Sequence, residues 1–395
     1  MNFVFLSCNY PENYWMFCRG LKNHGARVLA IIDTPYENLS YDLKENIDDH
    51  YFVSSFHQYD ELIKACGYFT YKYGKIDWIE SNNEAWLHTD AKLRDDFHVT
   101  TGFTLSQIEE FQSKSAMKHY YQNAKIPTAR YCIPTCYEDC VNFADQVGYP
   151  MVLKPDQGVG ACDTYKIENK HDLEQYYEKT KERCMILEEY VEGTIFTFDG
   201  ITDAHSNIQY LSSLEYVGNC MDSVLNHNSI GAYTSKHISD ADRMIAQDVI
   251  SAFHIQNRFF HCEFFRLNQD KEGLGKKGTI IGLEVNFRPP GVFLPDLMNY
   301  ASNIDIYDIW AEILLKQQCS TKNQPRYSVA FCGRRKELDY QYSIEELETE
   351  FSDEFIYTKQ LPEALAQAMG NTIMVCRFEN DQRRDHFFKQ SFALK

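Results

Sequence analysis

Glu284, Asn286 and Arg288 occupy alternate positions of the run Ile280-Ile281-Gly282-Leu283-Glu284-Val285-Asn286-Phe287-Arg288-Pro289, with Leu283, Val285 and Phe287 between them. A spacing of two is the period of a β-strand, whose successive side chains point to opposite faces. A carboxylate, an amide and a guanidinium then share one face, and apolar groups the other. Oxygen donors from Glu284 and Asn286 suit Mg2+, which takes few protein ligands and fills its other positions with phosphate and water. The planar fork of Arg288 matches phosphate oxygens. The same alternation also serves a half-exposed edge strand with ordinary polar residues.

Glu263 is the single acid in the aromatic run Phe259-Phe260-His261-Cys262-Glu263-Phe264-Phe265. Between it and Glu284 lies a glycine-rich stretch, Asp270 to Gly278, which predicts a reversal and a β-hairpin. On adjacent strands Glu263 and Glu284 would stand side by side, with Asn286 next along. Paired carboxylates repel unless a cation lies between them, and an unpaired acid among aromatic rings is costly. A metal resolves both problems.

A third polar feature is Lys154, at the end of the apolar run Met151-Val152-Leu153. The loop that follows, from Asp156 to Ala161, carries Gly158 and Gly160. Backbone N–H groups in such loops cradle phosphate oxygens, and a lysine adds a point charge. The loop is not a Walker A motif, and a strand-end lysine before a surface turn has the same appearance.

Composition narrows the field. At 395 residues the chain has room for two to three domains, and its 44% hydrophobic and 24% charged content is that of a water-soluble protein. A net charge of −18 argues against a nucleic-acid partner while leaving single phosphorylated ligands open. No apolar run is long enough for a membrane span. The start, Met-Asn-Phe-Val-Phe-Leu-Ser, reads as a strand and not as a signal peptide, so a cytoplasmic protein without a membrane partner is expected. Of the 13 cysteines only Cys132, Cys136 and Cys140 cluster. Their spacing differs from C-x-x-C metal pairs, and Pro134 interrupts them, so three unrelated buried thiols are expected.

The elements that must position these groups follow from periodicity. Strands at Asn2 to Ser7, Arg27 to Ile32, Tyr51 to Ser54 and Ile76 to Glu80 alternate with helices at Asn13 to Gly25 and Tyr59 to Lys72. This pattern predicts a Rossmann-like α/β unit with a parallel sheet over 1–103. Its first turn lacks G-x-G-x-x-G, which argues against NAD. From 104 onward the character changes. A capped helix is expected near Ser106, with Glu109 completing a capping box. Helices at Ser113 to Ala124, Glu138 to Val147 and Lys170 to Lys179 follow, with strands at Met151 to Pro155 and Met185 to Val191. A short α/β tail after 320 has strands near Tyr327 to Cys332 and Thr372 to Phe378. No internal repeat is present.

Taken in order, these segments resemble the ATP-grasp superfamily over about residues 1 to 320. Lys114, thirteen positions before Pro127 in S-K-S-A-M-K-H-Y-Y-Q-N-A-K-I-P-T, looks like the family's first ATP lysine. G-Y-P-M-V-L-K-P ends at the second, Lys154, and D-Q-G-V-G-A, with Gly158 and Gly160, looks like the phosphate loop. M-I-L-E-E-Y-V-E-G resembles the hinge strand. The resemblance implies that Glu188 accepts from the adenine amine and that the backbone of Glu189 and Val191 meets the ring edge. H-C-E-F-F and L-E-V-N-F-R-P-P-G match the metal strands, which implies Glu263, Glu284 and Asn286 as ligands and Arg288 as the catalytic clamp on an acyl phosphate. Gly291 would let the backbone approach the acyl site.

The implied architecture is an N-terminal domain over 1–103, an ATP-grasp domain over 104–320 divided at 184/185 into a small lobe and a hinge and metal lobe, and a C-terminal α/β segment over 321–395. The fold class is α/β, with α+β character in the ATP-grasp part. The implied activity is an ATP- and Mg2+-dependent ligase (Mn2+ as a substitute) that activates a carboxylate as an acyl phosphate and joins it to an amine. The partners are small-molecule substrates, with a homodimer open. An ATP-binding regulatory protein, a phosphotransferase and a carbamate-forming enzyme stand as alternatives on the same fold. Several details depart from the family. Ile195 stands where many members carry a ribose-binding acid, so ribose recognition either differs or relies on Glu192 or Asp199. Lys118, one helical turn from Lys114, is expected at the solvated surface, and Lys236 and His237 in a solvated turn.

Overall fold

The computed structural model describes residues 1–158, 163–218, 228–321 and 325–395. Four parallel strands open the chain: β1 (Asn2–Leu6), β2 (Arg27–Ile32), β3 (Asp49–Phe52) and β4 (Trp78–Glu80), in the order β3-β2-β1-β4. β1 and β2 are apolar almost throughout because helices cover both faces, as a parallel sheet requires. Alternation divides them cleanly. Phe3, Phe5, Val28 and Ala30 pack on one side with Phe17 and Trp310, and Val4, Leu6, Leu29 and Ile31 on the other with Leu62 and Phe69.

The second sheet is small and antiparallel. It holds β5 (Tyr131–Cys132), β6 (Met151–Pro155), β7 (Tyr165–Ile167) and β8 (Met185–Glu189) in the order β5-β8-β6-β7. The helices Tyr137–Val147 and Lys170–Thr180 bury Cys140, Phe143 and Leu173 against Met151, Leu153 and Leu187. The first of these helices stops at Gly148, whose φ of 74° few other residues adopt at low cost.

Eight antiparallel strands make the third sheet. They are β9 (Gly193–Thr202), β10 (Ile208–Tyr216), β11 (Ile230–Thr234), β12 (Phe259–Leu267), β13 (Ile280–Asn286), β14 (Ser328–Arg334), β15 (Phe355–Gln360) and β16 (Thr372–Phe378). Their order is β13-β12-β9-β10-β11-β14-β16-β15, so the strands after residue 320 extend the sheet that carries Glu263, Glu284 and Asn286. None of the described helices is long and apolar enough to cross a membrane.

Two expectations move. The capping box belongs to Thr104 and Gln107, not Ser106 and Glu109, because Thr104 is the last extended residue before the helix Leu105–Phe111. Of the three clustered cysteines only Cys140 is buried; Cys136 is exposed at the start of its helix.

Buried charge locks the first sheet to the third. Arg258 donates to Glu80 Oε2 at 2.6 Å and to the Phe287 carbonyl at 3.0 Å. Arg94 donates to the carbonyls of Ile79 and Phe103. The backbone just before Arg288 is thereby tied to the end of β4.

Candidate active site

The hairpin β12–β13 forms in the register the residue pattern called for. Glu263 pairs with Glu284 and His261 with Asn286, and a bulge follows Glu263. Same-face residues on neighbouring strands lie close together, so two carboxylates and an amide converge on one wall. Burial and the adjacent Glu263 push the Glu284 carboxyl up. For Glu263 burial acts in the same direction, but the His261 hydrogen bond and charge, then Arg288 and Lys154, outweigh it and hold the carboxyl down. A cation between the two would relieve the repulsion that Glu284 feels. The donor set, two carboxylate side chains and an amide oxygen, therefore fits Mg2+.

Three lysines line a cavity of about 290 Å³ together with these residues. Lys114 opens the helix Lys114–Asn123, capped by Ser113, and its Nζ donates to the Gly158 carbonyl at 3.1 Å. Lys154, at the end of β6, pairs with Glu188 at 2.6 Å, and Lys118 pairs with the other oxygen of Glu188 at 2.5 Å. Lys118 is thus not a solvated surface residue. It is 3% exposed, donates to the Ala129 carbonyl and faces the cavity. The reason is helical geometry: positions i and i+4 share a face, so the face that presents Lys114 presents Lys118 as well.

Glu188 has a further part to play. Each of its oxygens is bound to one ammonium group, so it holds the two lysines together, with acceptor sites to spare on both oxygens. Burial raises its carboxyl, yet Lys118 and Lys154 overcome this and hold it at about 2. Burial, with Lys154 adding to it, draws the Lys118 ammonium down against the pull of Glu188. In Lys154 the attraction of Glu188 exceeds the burial penalty, and the ammonium is raised.

Other sequence candidates fall on the same cavity. Glu189, Val191 and Ile195 line it with Val152, Phe265 and Leu283, giving apolar walls suited to a flat heterocycle. The Glu189 side chain turns away to Arg130, at 2.7 Å, and its N–H donates to the Arg130 carbonyl. Arg288 lines the cavity too, its Nε donating to Glu84 at 3.2 Å. Gly158 borders a neighbouring cavity with Glu84, Glu284 and Asn286, whereas Gly160 lies outside the described residues. Neither ribose candidate reaches the main cavity. Glu192 is exposed and bonded to Gln269, and Asp199 is bound to His261. Lys236 pairs with Asp381 and, with His237, stays outside the cavity.

Three contributors escaped the sequence reading. Asp156 clamps the start of the Lys114 helix, accepting from Ser113 Oγ at 2.7 Å and Ser115 N at 2.8 Å. Its signal was an acid at the mouth of a glycine loop. Glu84, in S-N-N-E-A-W, holds Arg288 from the first domain. His261, two residues before Glu263 and so on the same face, had its signal in the strand period itself. It bonds Asp199 through Nδ1 at 2.6 Å and Glu263 through Nε2 at 3.1 Å. Burial lowers its imidazole, but the two carboxylates raise it to about 9.

Comparison with known proteins agrees with this geometry. Residues 116–257 match the ATP-grasp domain family, a span that includes Lys118, Lys154 and Glu188 but ends before Glu263. The L-arginine-specific L-amino acid ligase of Bacillus subtilis is 24% identical over 226 residues, 53% of this chain and 53% of that protein. The phosphoribosylamine–glycine ligase of Clostridium acetobutylicum is 28% identical over 112 residues, 26% of this chain and 27% of that protein. The matches thus span about half, or less, of these curated relatives. Among solved structures, L-amino acid ligase from Bacillus licheniformis superimposes with a TM-score of 0.72 at 15% identity, covering 99% of this chain and 96% of the other. N5-carboxyaminoimidazole synthetase from Staphylococcus aureus, complexed with ADP, gives 0.72 at 13% identity, covering 99% and 97%. Residues 116–257 thus match the ATP-grasp domain, and the chain shares the fold of these enzymes along almost its whole length.

Proposed function

We propose that this protein is an ATP-dependent ligase that activates a carboxylate as an acyl phosphate and joins it to an amine, releasing ADP and phosphate. The observation that carries the reading is one cavity lined by Lys114, Lys118 and Lys154 together with Glu263, Glu284, Asn286 and Arg288. The names of the relatives, amino acid and phosphoribosylamine ligases, support the same class.

Each group has a part in this chemistry. The apolar walls around Val191 and Ile195 receive the base. Lys114 and Lys154 hold phosphate oxygens from two sides, with Glu188 keeping the Lys154 and Lys118 ammoniums in place. Glu263, Glu284 and Asn286 would hold Mg2+, which when bound neutralises the phosphate charge that builds up during transfer. Arg288 faces the acyl phosphate and donates to its oxygens through a planar fork, while Glu84 fixes the direction of that fork. The amine then attacks the acyl carbon and phosphate leaves. No nucleophilic side chain is needed.

A phosphate-release screen over pairs of carboxylates and amines with Mg·ATP, followed by mass spectrometry of the product, tests the reading. Release that requires both partners is the expected result. ADP formation with one acceptor, the phosphoryl group retained on it and no free phosphate, would make the protein a phosphotransferase, and ATP binding without turnover on any pair would make it a regulator.

A further inference from the structure

We propose that His261, oriented by Asp199, is a positioning residue that fixes the Glu263 carboxylate for metal binding. The proposal rests on the metal–nucleotide site of the ligase reading. It starts from three adjacent strands. On β9, Asp199 stands opposite His261 of β12, and Thr197 opposite Glu263. On the other side of β12, His261 is opposite Asn286 of β13 and Glu263 opposite Glu284. Asp199, His261 and Asn286 form one cross-strand row, and Thr197, Glu263 and Glu284 the next.

Within these rows Asp199 accepts from two neighbours and His261 bridges two carboxylates. The Thr197 hydroxyl donates to Asp199, Asp199 accepts from His261 Nδ1 at 2.6 Å, and His261 Nε2 faces Glu263 Oε1 at 3.1 Å. Both ring nitrogens meet carboxylate oxygens, which only accept, so each nitrogen donates. Asp199 is 2% exposed and His261 5%. Neither lines the cavity, so both act on a ligand only through Glu263. A ligating carboxylate needs such a bond to hold one rotamer, and loss of an outer partner of this kind typically costs about 10 to 100-fold in metal affinity. If the pair served only to neutralise buried charge, the direction of the Nε2 bond would not matter.

Two substitutions separate these roles. In His261→Gln the amide nitrogen falls near the position of Nε2, facing Glu263, and the bond to Asp199 is lost. In His261→Asn it falls near Nδ1, facing Asp199, and the bond to Glu263 is lost. Mn2+ binding in the presence of ADP, followed by electron paramagnetic resonance, and the melting temperature of the ligand-free protein are measured for each. His261→Asn should bind Mn2+ about 10 to 100-fold more weakly, while His261→Gln stays within a few-fold of the wild type although it melts lower. Equal losses of affinity, or affinity that follows melting temperature, would overturn the proposal.

Should either variant fail to fold, Thr197→Val loosens Asp199 and leaves the imidazole in place. A several-fold weaker Mn2+ affinity is expected there, and an unchanged one counts against Asp199 as the orienting group. A wild-type protein that shows no ADP-dependent Mn2+ site would instead sink the ligase reading, and this proposal with it.

Discussion

Glu188 and the two lysines around it are a closed group of charges, and they carry a consequence for acid stability. An unfolded Glu titrates near 4.3, whereas in the fold Lys118 and Lys154 hold Glu188 at about 2 against burial. The folded value is the lower one, so the stabilisation is complete above about pH 4.5 and is lost as pH falls through about 2. Glu188→Gln should flatten the acid limb of unfolding between about pH 5 and 2. At neutral pH it should cost about 3 kcal/mol, since two buried ammoniums lose their counter-charge. Chemical denaturation across pH reads both effects, and an unaltered acid limb would show that the pair does not persist in solution. Arg288 belongs to the same scale. Arg288→Lys keeps the charge but loses the fork, so turnover should fall on the order of 10²-fold with ATP affinity almost unchanged. Steady-state kinetics beside nucleotide titration check this, and near wild-type turnover would make Arg288 a structural partner of Glu84.

At the scale of elements, the hairpin β12–β13 was the most legible part of the chain. A period of two, a glycine-rich reversal and a lone acid on each strand were enough to set Glu263 beside Glu284, because a slip of one residue would turn every polar group to the opposite face. The burial of Lys118 was not legible in the same way, because its partners, Glu188 and the Ala129 carbonyl, lie outside its own helix. Glu84 and the Glu80–Arg258 lock were not legible, since partners 204 and 178 residues apart leave no periodic trace. The hairpin gives the next prediction. Glu284 is raised by burial and by Glu263, so Glu284→Gln removes a repulsion, and the ligand-free protein should melt no lower than the wild type. Mg·ATP at 100 times its dissociation constant should stabilise the wild type by about 2.7 kcal/mol, and the variant should lose most of that gain. Thermal shift with and without Mg·ATP measures it, and an unchanged gain would take Glu284 out of the site.

The molecule as a whole is joined by its third sheet. From sequence, the residues after 320 read as a separate small tail, because a sequence shows which segments are strands but not which sheet they enter. In the fold β14 pairs with β11, and β16 and β15 follow outward. β14 is buried at all seven positions, and Val329 and Phe331 share a core cluster with Leu214, Ile230, Leu294 and Leu297. Removing residues 321–395 would therefore uncover β11 as an unpaired edge and strip one face from the helix Leu294–Ser302, which begins three residues after Gly291. An exposed apolar edge of this kind pairs with other chains. A protein ending at residue 320 should show no cooperative unfolding transition and should aggregate, and Mg·ATP should not rescue it, because the core that Leu214, Ile230, Leu294 and Leu297 share with the missing strands is left open. Calorimetry and size-exclusion chromatography decide the matter. A truncated chain that stays monomeric and melts cooperatively would show that residues 1–320 are a complete folding unit and that the last three strands only decorate it.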